Sequence, residues 1–448
     1  MPRKDTDSAR QPPTDLQIKD LRETMLAAGE NPPAEKESFR LWLKKSAEKE
    51  LWFLSRWLLG NDWLGLGTFH REVVCPFLTN LRGSRSKLLM LPMGHLKSTI
   101  VSRSMPIHIL IQPLGSNLYF PRRAGANLRI ALVNENETKS MENLSYIRQH
   151  LENNEWLYWC WPDVIWANKK ERGSARWSDQ FLDVRRNEYW AEASVTAIGV
   201  NTGFIGRYFD VILPDDIAAL QASQSKDLLA RAKTFRRAMR TRRVDKTEGP
   251  TGSIIIGVGT EWPAVDLYEE WQKDPTVNVM VKSIVEVDEK TKEERSLWPE
   301  KYPLEIIEKM REENDAVEWA AWYMNRRVGR GVTALSWEQL REYKVSEDGL
   351  YLEFPEIAEI DALITARRAR IDQNIKGFRT TTERYDPMKA KPRLKLPQGM
   401  DSDYALFMRM KYGRCLKCGA APAEGGFACG HEQVEEDATS RYQRPLAH

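Results

Sequence analysis

Short apolar runs alternate with longer amphipathic stretches between residues 88 and 262. The apolar runs at 88–91, 128–133, 208–213 and 254–258 have the length of buried strands, and residues 137–153 have a helical pattern between two of them. This alternation predicts an α/β fold in which a parallel sheet is flanked by helices on its faces.

The same patterns divide the 448-residue chain, which is long enough for two or three domains. Residues 1–35 are polar and contain proline, which predicts a mobile arm. Residues 36–285 are predicted to form the α/β domain with an N-terminal helical segment, and residues 286–345 a mostly helical lid or linker. Residues 346–448 form a charged C-terminal region in which we find no series of strands.

Composition supports a sizeable core and no membrane span. Hydrophobic residues make up 42% of the chain, and no apolar run reaches membrane-spanning length. Residues 1–16 are polar and lack the apolar core of a signal peptide. We therefore expect an intracellular protein that does not insert into a membrane.

A glycine-containing turn follows the first apolar run, where residues 94–99 read Gly-His-Leu-Lys-Ser-Thr. Backbone N–H groups of such a turn, together with the positive end of the next helix, bind phosphate. Lys97 would reach the β- and γ-phosphates of a nucleotide, and Ser98 or Thr99 would hold Mg²⁺. The usual pattern has glycines where this chain has Leu91 and Leu96, so a plain helix start after a buried strand is an equally good interpretation of this turn alone.

Two adjacent carboxylates, Asp215 and Asp216, end the apolar run that begins at residue 208. Such a pair can hold the Mg²⁺ of a bound nucleotide and deprotonate the attacking water. We assign Asp215 to the metal and Asp216 to the water. The alternative is an acidic pair that caps the following helix, and the order of loop and acids favours the nucleotide site.

A third apolar run, at residues 252–262, ends in Gly259-Thr260. Thr260 at the end of a strand beside a nucleotide would sense the γ-phosphate. Taken alone, the pattern is also that of any buried strand with a glycine turn. The predicted nucleotide contacts are therefore Gly94, His95, Leu96, Lys97, Ser98, Thr99 and Asp215, with Lys97, Asp216 and Thr260 as catalytic residues.

The order of these motifs resembles the large subunit of tailed-bacteriophage terminases, the ATPase that packages double-stranded DNA into a procapsid. The resemblance covers residues 50–345. It rests on Pro92–Thr99, Trp177-Ser178, Arg185-Arg186, the run from Ala197 to Asp210, Asp215-Asp216, Gly259-Thr260 with Trp262, Leu297–Glu300 and Trp322–Asn325.

This resemblance implies a P-loop ATPase that uses ATP and Mg²⁺ and acts in the host cell cytoplasm and at the procapsid portal. It also implies double-stranded DNA, the portal protein, a terminase small subunit and further copies in a ring as partners. Met93 stands where the family often has a phosphate-contacting arginine. A substitute arginine is expected elsewhere, with Arg185, Arg186 and Arg207 as candidates.

The C-terminal region departs from the family, whose complete members carry an RNase H-like nuclease. We expect no nuclease in this chain, because no strands ending in acids follow residue 346. A small cysteine module stands there instead. Cys415, Cys418, Cys429 and His431 could hold a structural Zn²⁺ tetrahedrally, or could be unliganded residues of a tail.

Charge distribution suggests a DNA contact, although the net charge is only +3. Residues 226–246 contain nine Lys or Arg and two Asp. A helical spacing places Lys233, Arg236, Arg240 and Arg243 on one face, which could bind phosphates or could simply be solvated. Two rival functions stay open: a helicase-like DNA-remodelling ATPase, and a non-catalytic zinc-containing nucleic-acid-binding protein.

Overall fold

The structure is a computed structural model, and it describes most of residues 10–326. Within that range residues 202–205, 220–221, 223–224, 248, 250, 263–266, 289 and 292 are not described, and beyond residue 326 only the backbone of five short strands is. The chain divides into two compact units, Met1–Gly331 and Val332–His448.

A seven-stranded sheet lies at the centre of the first unit. Its order is β3-β4-β2-β5-β6-β1-β7, with β3 antiparallel to β4 and the other strands parallel. The predicted α/β class with a parallel sheet and flanking helices is therefore confirmed. The strands are β1 Ser86–Met90, β2 Ile130–Asn134, β3 Phe181–Leu182, β4 Val195–Gly199, β5 Val211–Asp215, β6 Ile254–Gly259 and β7 Val277–Val281.

The described helices precede, connect and follow these strands. They are α1 Asp15–Ala27, α2 Lys36–Lys49, α3 Leu51–Phe53, α4 Cys75–Thr79, α5 Met105–Leu110, α6 Glu137–Asn153, α7 Glu155–Cys160, α8 Lys169–Arg172, α9 Lys226–Thr241, α10 Leu267–Gln272, α11 Leu304–Glu313 and α12 Ala316–Glu318. Turns of π-helix extend several of them, at Leu54–Leu58, His70–Val74, Thr99–Ser104 and Trp319–Tyr323, and 3₁₀ turns lie at Asp62–Gly65 and Gly125–Asn127.

Both faces of the sheet are covered, because successive side chains of a strand point to opposite sides. On β5, Val211 and Leu213 belong to a core shared with the N-terminal helices and α6. Ile212 belongs to a second core formed with α9 and α10. Helices therefore bury the strands that the apolar runs predicted, although Tyr208, the first residue of the third run, is exposed.

Part of the predicted mobile arm is a helix in the structure. Thr14 and Gln17 form a capping box at the start of α1, and the side chains of Ile18 and Met25 are buried in the core. Residues 15–27 of the predicted arm are thus helical and contribute to the core, and the mobility of residues 1–35 stays a prediction. Few apolar residues of this helix face the core, so its amphipathic pattern is faint in the sequence.

Residues 282–326, which we call the 282–326 segment, combine a short hairpin with two helices. The hairpin pairs β8 Val285–Val287 with β9 Glu294–Ser296. A small core of this segment contains Ile284, Val285, Ile307, Trp319 and Met324. Its helices agree with the mostly helical pattern of residues 299–325.

The second unit is described only as backbone. Three strands form one small sheet and two form a hairpin: β10 Lys344–Val345, β11 Tyr351–Glu353, β12 Arg393–Lys395, β13 Pro422–Ala423 and β14 Gly426–Phe427. The four residues of the predicted zinc site, Cys415, Cys418, Cys429 and His431, lie outside the described residues. Among the helices that the structure describes, none has both the length and the apolar character to cross a bilayer.

Candidate active site

Three parallel strands bring the sequence motifs to one edge of the sheet. β6 lies between β1 and β5, and in these pairings Met90 is opposite Gly259 and Asp215 is opposite Val258. The residues that follow Met90, the acids that end β5 and Thr260 after β6 therefore meet at the carboxyl edge, where ligands bind in open α/β sheets. The order of the motifs in the sequence predicts that these residues form one site.

The turn after β1 leads directly into a helix that begins at Lys97. Gly94 and Leu96 both have left-handed backbone conformations, with φ of 79° and 59°. Leu96 occupies this conformation although glycine is the residue that adopts it freely, and its side chain packs against the core. The Lys97 side chain is 8% exposed, and its ammonium has no hydrogen-bond partner among the described residues.

Asp215 connects the turn to β5. Its two carboxylate oxygens accept hydrogen bonds from Ser98 Oγ, at 2.9 Å, and from Ser102 Oγ, at 2.7 Å. Burial and the neighbouring Asp216 raise the pKa of this carboxyl to about 6, against the hydrogen bonds from the two serines and the charge of Lys97, which lower it. Asp215 is thus a buried carboxylate with hydroxyl partners.

Asp216 lies at the sharp turn after β5, with a φ of 46°. Its N–H donates to Val258 O at 3.0 Å, and its Oδ1 accepts from the Thr260 N–H at 3.2 Å. The Thr260 hydroxyl is buried and has no hydrogen-bond partner within the described residues. Thr260 therefore holds the second acid through its backbone and keeps its hydroxyl available.

The 282–326 segment also contacts the turn after β1. Lys301 Nζ donates to Gly94 O at 2.9 Å, and Tyr302 stacks on the His95 ring at 5.0 Å between ring centroids. The Met93 N–H donates to Trp322 O at 3.0 Å. Sequence reasoning missed these contacts, although Leu297–Glu300 and Trp322–Asn325 were among the motifs that carry the resemblance.

His95 and His70 are both buried beside Trp298, whose ring lies 4.4 Å from His70 and 5.8 Å from His95. Burial lowers the pKa of His70 to about 4 and that of His95 to about 3. Both imidazoles are therefore neutral near pH 7, and His95 contributes packing and not charge to the turn.

The basic face predicted on α9 is largely engaged within the chain. Lys233 pairs with Glu270 at 2.7 Å, and Arg236 and Arg240 both pair with Asp274. Arg243, predicted on the same face, lies beyond the end of α9 and donates to Lys246 O. Arg240 keeps the most solvent exposure of the three ion-paired residues, at 48% of its side chain, so the DNA contact stays a prediction.

The three candidate arginines also have partners in the chain. Arg185 pairs with Glu171, Arg186 pairs with Asp183 at 3.1 Å, and Arg207 lies over the Phe181 ring at 5.0 Å. None of these contacts involves a residue of the carboxyl edge.

Possible metal ligands at the carboxyl edge include the oxygen atoms of Asp215 and Ser98. Within the described residues no three His, Cys, Asp or Glu side chains are grouped to hold an ion by themselves. Asp215 and Ser98 offer the hard oxygen atoms that Mg²⁺ prefers, and Mg²⁺ is commonly bound by one or two carboxylates together with substrate phosphates.

Comparison with known proteins adds no relative: no protein-family model matches the chain, and no curated protein matches it.

Proposed function

We propose that this chain is an ATPase of the terminase-large-subunit type, which hydrolyses ATP to move viral double-stranded DNA into a procapsid. The observation that carries the proposal is the 2.9 Å hydrogen bond from Ser98 to Asp215. It joins the turn after β1 to the end of β5, with Asp216 and Thr260 alongside. A helix-capping role for the acids requires no such contact.

The residues present fit ATP and Mg²⁺. Asp215 is buried with a raised pKa, and a nearby cation would offset the cost of its charge. The Lys97 ammonium, at the start of a helix, is placed among groups that bind phosphate. Mg²⁺ held by Asp215 and Ser98 would neutralise charge on the phosphate oxygens.

Each residue of the site then has a distinct task. Lys97 and the N–H groups of the turn bind the phosphates, and Ser98 and Ser102 fix the orientation of the Asp215 carboxylate. Asp216 accepts a proton from the attacking water as a general base. Thr260 orients Asp216 through its backbone N–H and offers its hydroxyl to the terminal phosphate or the water.

The 282–326 segment would act as the lid of this motor. It contacts the turn through Lys301, Tyr302 and Trp322. A change in the turn on hydrolysis would therefore move the segment. In the proposed motor, this movement would push bound duplex DNA along the ring formed by further copies of the chain. The portal protein and a small subunit would be the other partners.

Two substitutions test the chemistry. Lys97→Ala should abolish ATP turnover, because it removes the phosphate-binding charge. Asp216→Asn should still bind ATP but lose hydrolysis, because the water loses its base. Turnover is measured as phosphate release with and without duplex DNA, and nucleotide binding by calorimetry. Near-normal turnover in both Asp216→Asn and Asp215→Asn would mean that the acids are assigned incorrectly.

A packaging assay separates the rival functions. A packaging motor should protect DNA from added nuclease. This protection should require both ATP and portal-bearing procapsids. DNA-stimulated hydrolysis with strand separation and no procapsid dependence would instead indicate a helicase-like enzyme. Nucleic-acid binding without any ATP hydrolysis would leave only the non-catalytic alternative.

A further inference from the structure

Asn325 occupies an unusual position at the end of the 282–326 segment. It follows the helical turn Trp319–Tyr323, is 7% exposed and has a left-handed backbone with a φ of 47°. Asparagine is among the few residue types other than glycine that tolerate this conformation. The conformation directs its amide into the protein and not to solvent.

The Asn325 amide bridges the ends of two strands. Its Oδ1 accepts a hydrogen bond from the Glu261 N–H at 3.2 Å, and its Nδ2 donates to Lys282 O at 2.8 Å. Glu261 lies two residues beyond β6, and Lys282 directly follows β7. These are the two strands on either side of β1, so the amide joins the strands that flank the phosphate-binding turn.

Neighbouring contacts fix the same turn of chain. The Ile284 N–H donates to Tyr323 O at 2.8 Å, and Ser283 Oγ donates to Met324 O at 2.7 Å. Trp322 O accepts from the Met93 N–H. Residues 322–325 are thus attached to the phosphate-binding turn at one end and to the end of β6 at the other.

We propose that Asn325 is a positioning residue that acts on Asp216 through Glu261 and Thr260. It holds the Glu261 N–H, which fixes the backbone of the preceding Thr260. The Thr260 N–H in turn holds Asp216 Oδ1. The amide thereby couples the 282–326 segment to the acid that activates water, an inference that rests on the proposed ATPase function.

Asn325→Gly tests this role, because glycine keeps the left-handed backbone and removes both amide hydrogen bonds. We expect kcat for ATP to fall by about 10- to 100-fold, as small displacements of catalytic groups do. The KM for ATP and the affinity for a non-hydrolysable ATP analogue should stay within about twofold of the unsubstituted protein, because the phosphate-binding residues are untouched.

Ser283→Ala is the matched control. It removes a hydrogen bond to the same turn, from Ser283 Oγ to Met324 O, but does not touch Glu261. A loss of stability without a loss of kcat is expected. If Asn325→Gly keeps the kcat of the unsubstituted protein, or loses no more rate than Ser283→Ala, the positioning role is overturned.

Asn325→Asp supplies a partial rescue, because it keeps an acceptor for the Glu261 N–H and loses only the donor to Lys282 O. Its kcat should lie between those of Asn325→Gly and the unsubstituted protein. Should Asn325→Gly not fold, Asn325→Ala removes the same two hydrogen bonds, and a kcat of Asn325→Ala equal to that of the unsubstituted protein then overturns the proposal. Absence of ATP turnover in the unsubstituted protein overturns the proposed function itself, which is a different result.

Discussion

At the scale of single residues, β5 carries one buried aspartate near each of its ends, and their surroundings differ. Asp210, which precedes the strand, accepts hydrogen bonds from the Arg129 and Arg123 guanidinium groups. Asp215, which ends the strand, has serine hydroxyls as its hydrogen-bond partners. Guanidinium groups therefore compensate the charge of Asp210, whereas the hydrogen-bond partners of Asp215 are uncharged.

We therefore expect Asp215→Asn to stabilise the ligand-free protein at pH 7.5, by roughly 1–3 kcal/mol, while Mg²⁺-dependent ATP binding weakens. The pKa of Asp215 is raised from 3.8 to about 6, so between these values the native state binds more protons than the unfolded state. Stability then falls as pH rises through that window. The gain from the substitution should be present above pH 6 and vanish near pH 4.

Urea unfolding at pH 4 and pH 7.5 measures this gain, with Asp210→Asn as the matched control. That substitution should destabilise the protein by about 3 kcal/mol, because the buried Arg129 guanidinium loses the carboxylate at 2.9 Å and keeps only the Glu192 carboxylate, at 3.7 Å. A loss of stability of similar size in both variants would show that Asp215 is compensated like Asp210.

At the scale of elements, the 282–326 segment contacts the turn after β1. A Cβ atom built on Gly94 would lie 2.2 Å from the Tyr302 hydroxyl, whereas one built on Gly83 would meet nothing within 4 Å. Both glycines have a left-handed backbone, with φ of 79° and 83°. Alanine substitutions at Gly83 and Gly94 therefore share the backbone strain, and only the substitution at Gly94 also displaces Tyr302.

Gly83→Ala should cost about 1–2 kcal/mol of stability through backbone strain and leave ATP affinity unchanged. Gly94→Ala should cost more and raise the KM for ATP, because Tyr302 must move away from the turn. Adding Tyr302→Phe to Gly94→Ala removes the clashing oxygen and should restore part of both properties. Equal effects of the two alanine substitutions, measured by urea unfolding and ATP titration, would exclude a role for Tyr302.

The sequence predicted the elements better than their contacts. Apolar runs identify β1, β2, β5 and β6, because burial on both faces leaves a continuous apolar signature. The convergence of Lys97 with Asp215 followed from the expected parallel sheet. The contacts of Lys301 with Gly94 could not be predicted, since they join residues about 200 positions apart through side chains that have no periodic pattern.

Helix α9 shows the same limit. The helix ends at Thr241, and Arg243 lies beyond it in a bridge to Phe209. The spacing of the other basic residues correctly placed Lys233, Arg236 and Arg240 on the helix. Their partners, Glu270 and Asp274, belong to α10 and the turn after it, and nothing in the pattern of α9 reveals them. A row of basic residues on a helix can be exposed to solvent or can form ion pairs within the chain, and the pattern alone does not decide between these two arrangements.

At the scale of the whole molecule, the chain has two compact units, and the predicted zinc residues belong to the second. Cys418→Ser should reduce bound zinc, measured by elemental analysis, while DNA-independent ATP hydrolysis persists. The reason is that the residues of the proposed nucleotide site all belong to the first unit. Protein purified without chelators that contains no stoichiometric zinc would refute the zinc module.

The strand order also governs how the protein is made on the ribosome. β1 emerges early, yet its two neighbours, β6 and β7, begin at residues 254 and 277. Until they have been synthesised, β1 has both hydrogen-bonding edges free, a state prone to pairing with other chains. A nascent or prematurely terminated chain of about 250 residues thus carries β1 and the turn after it without strand partners, and we expect it to bind chaperones during this interval of translation.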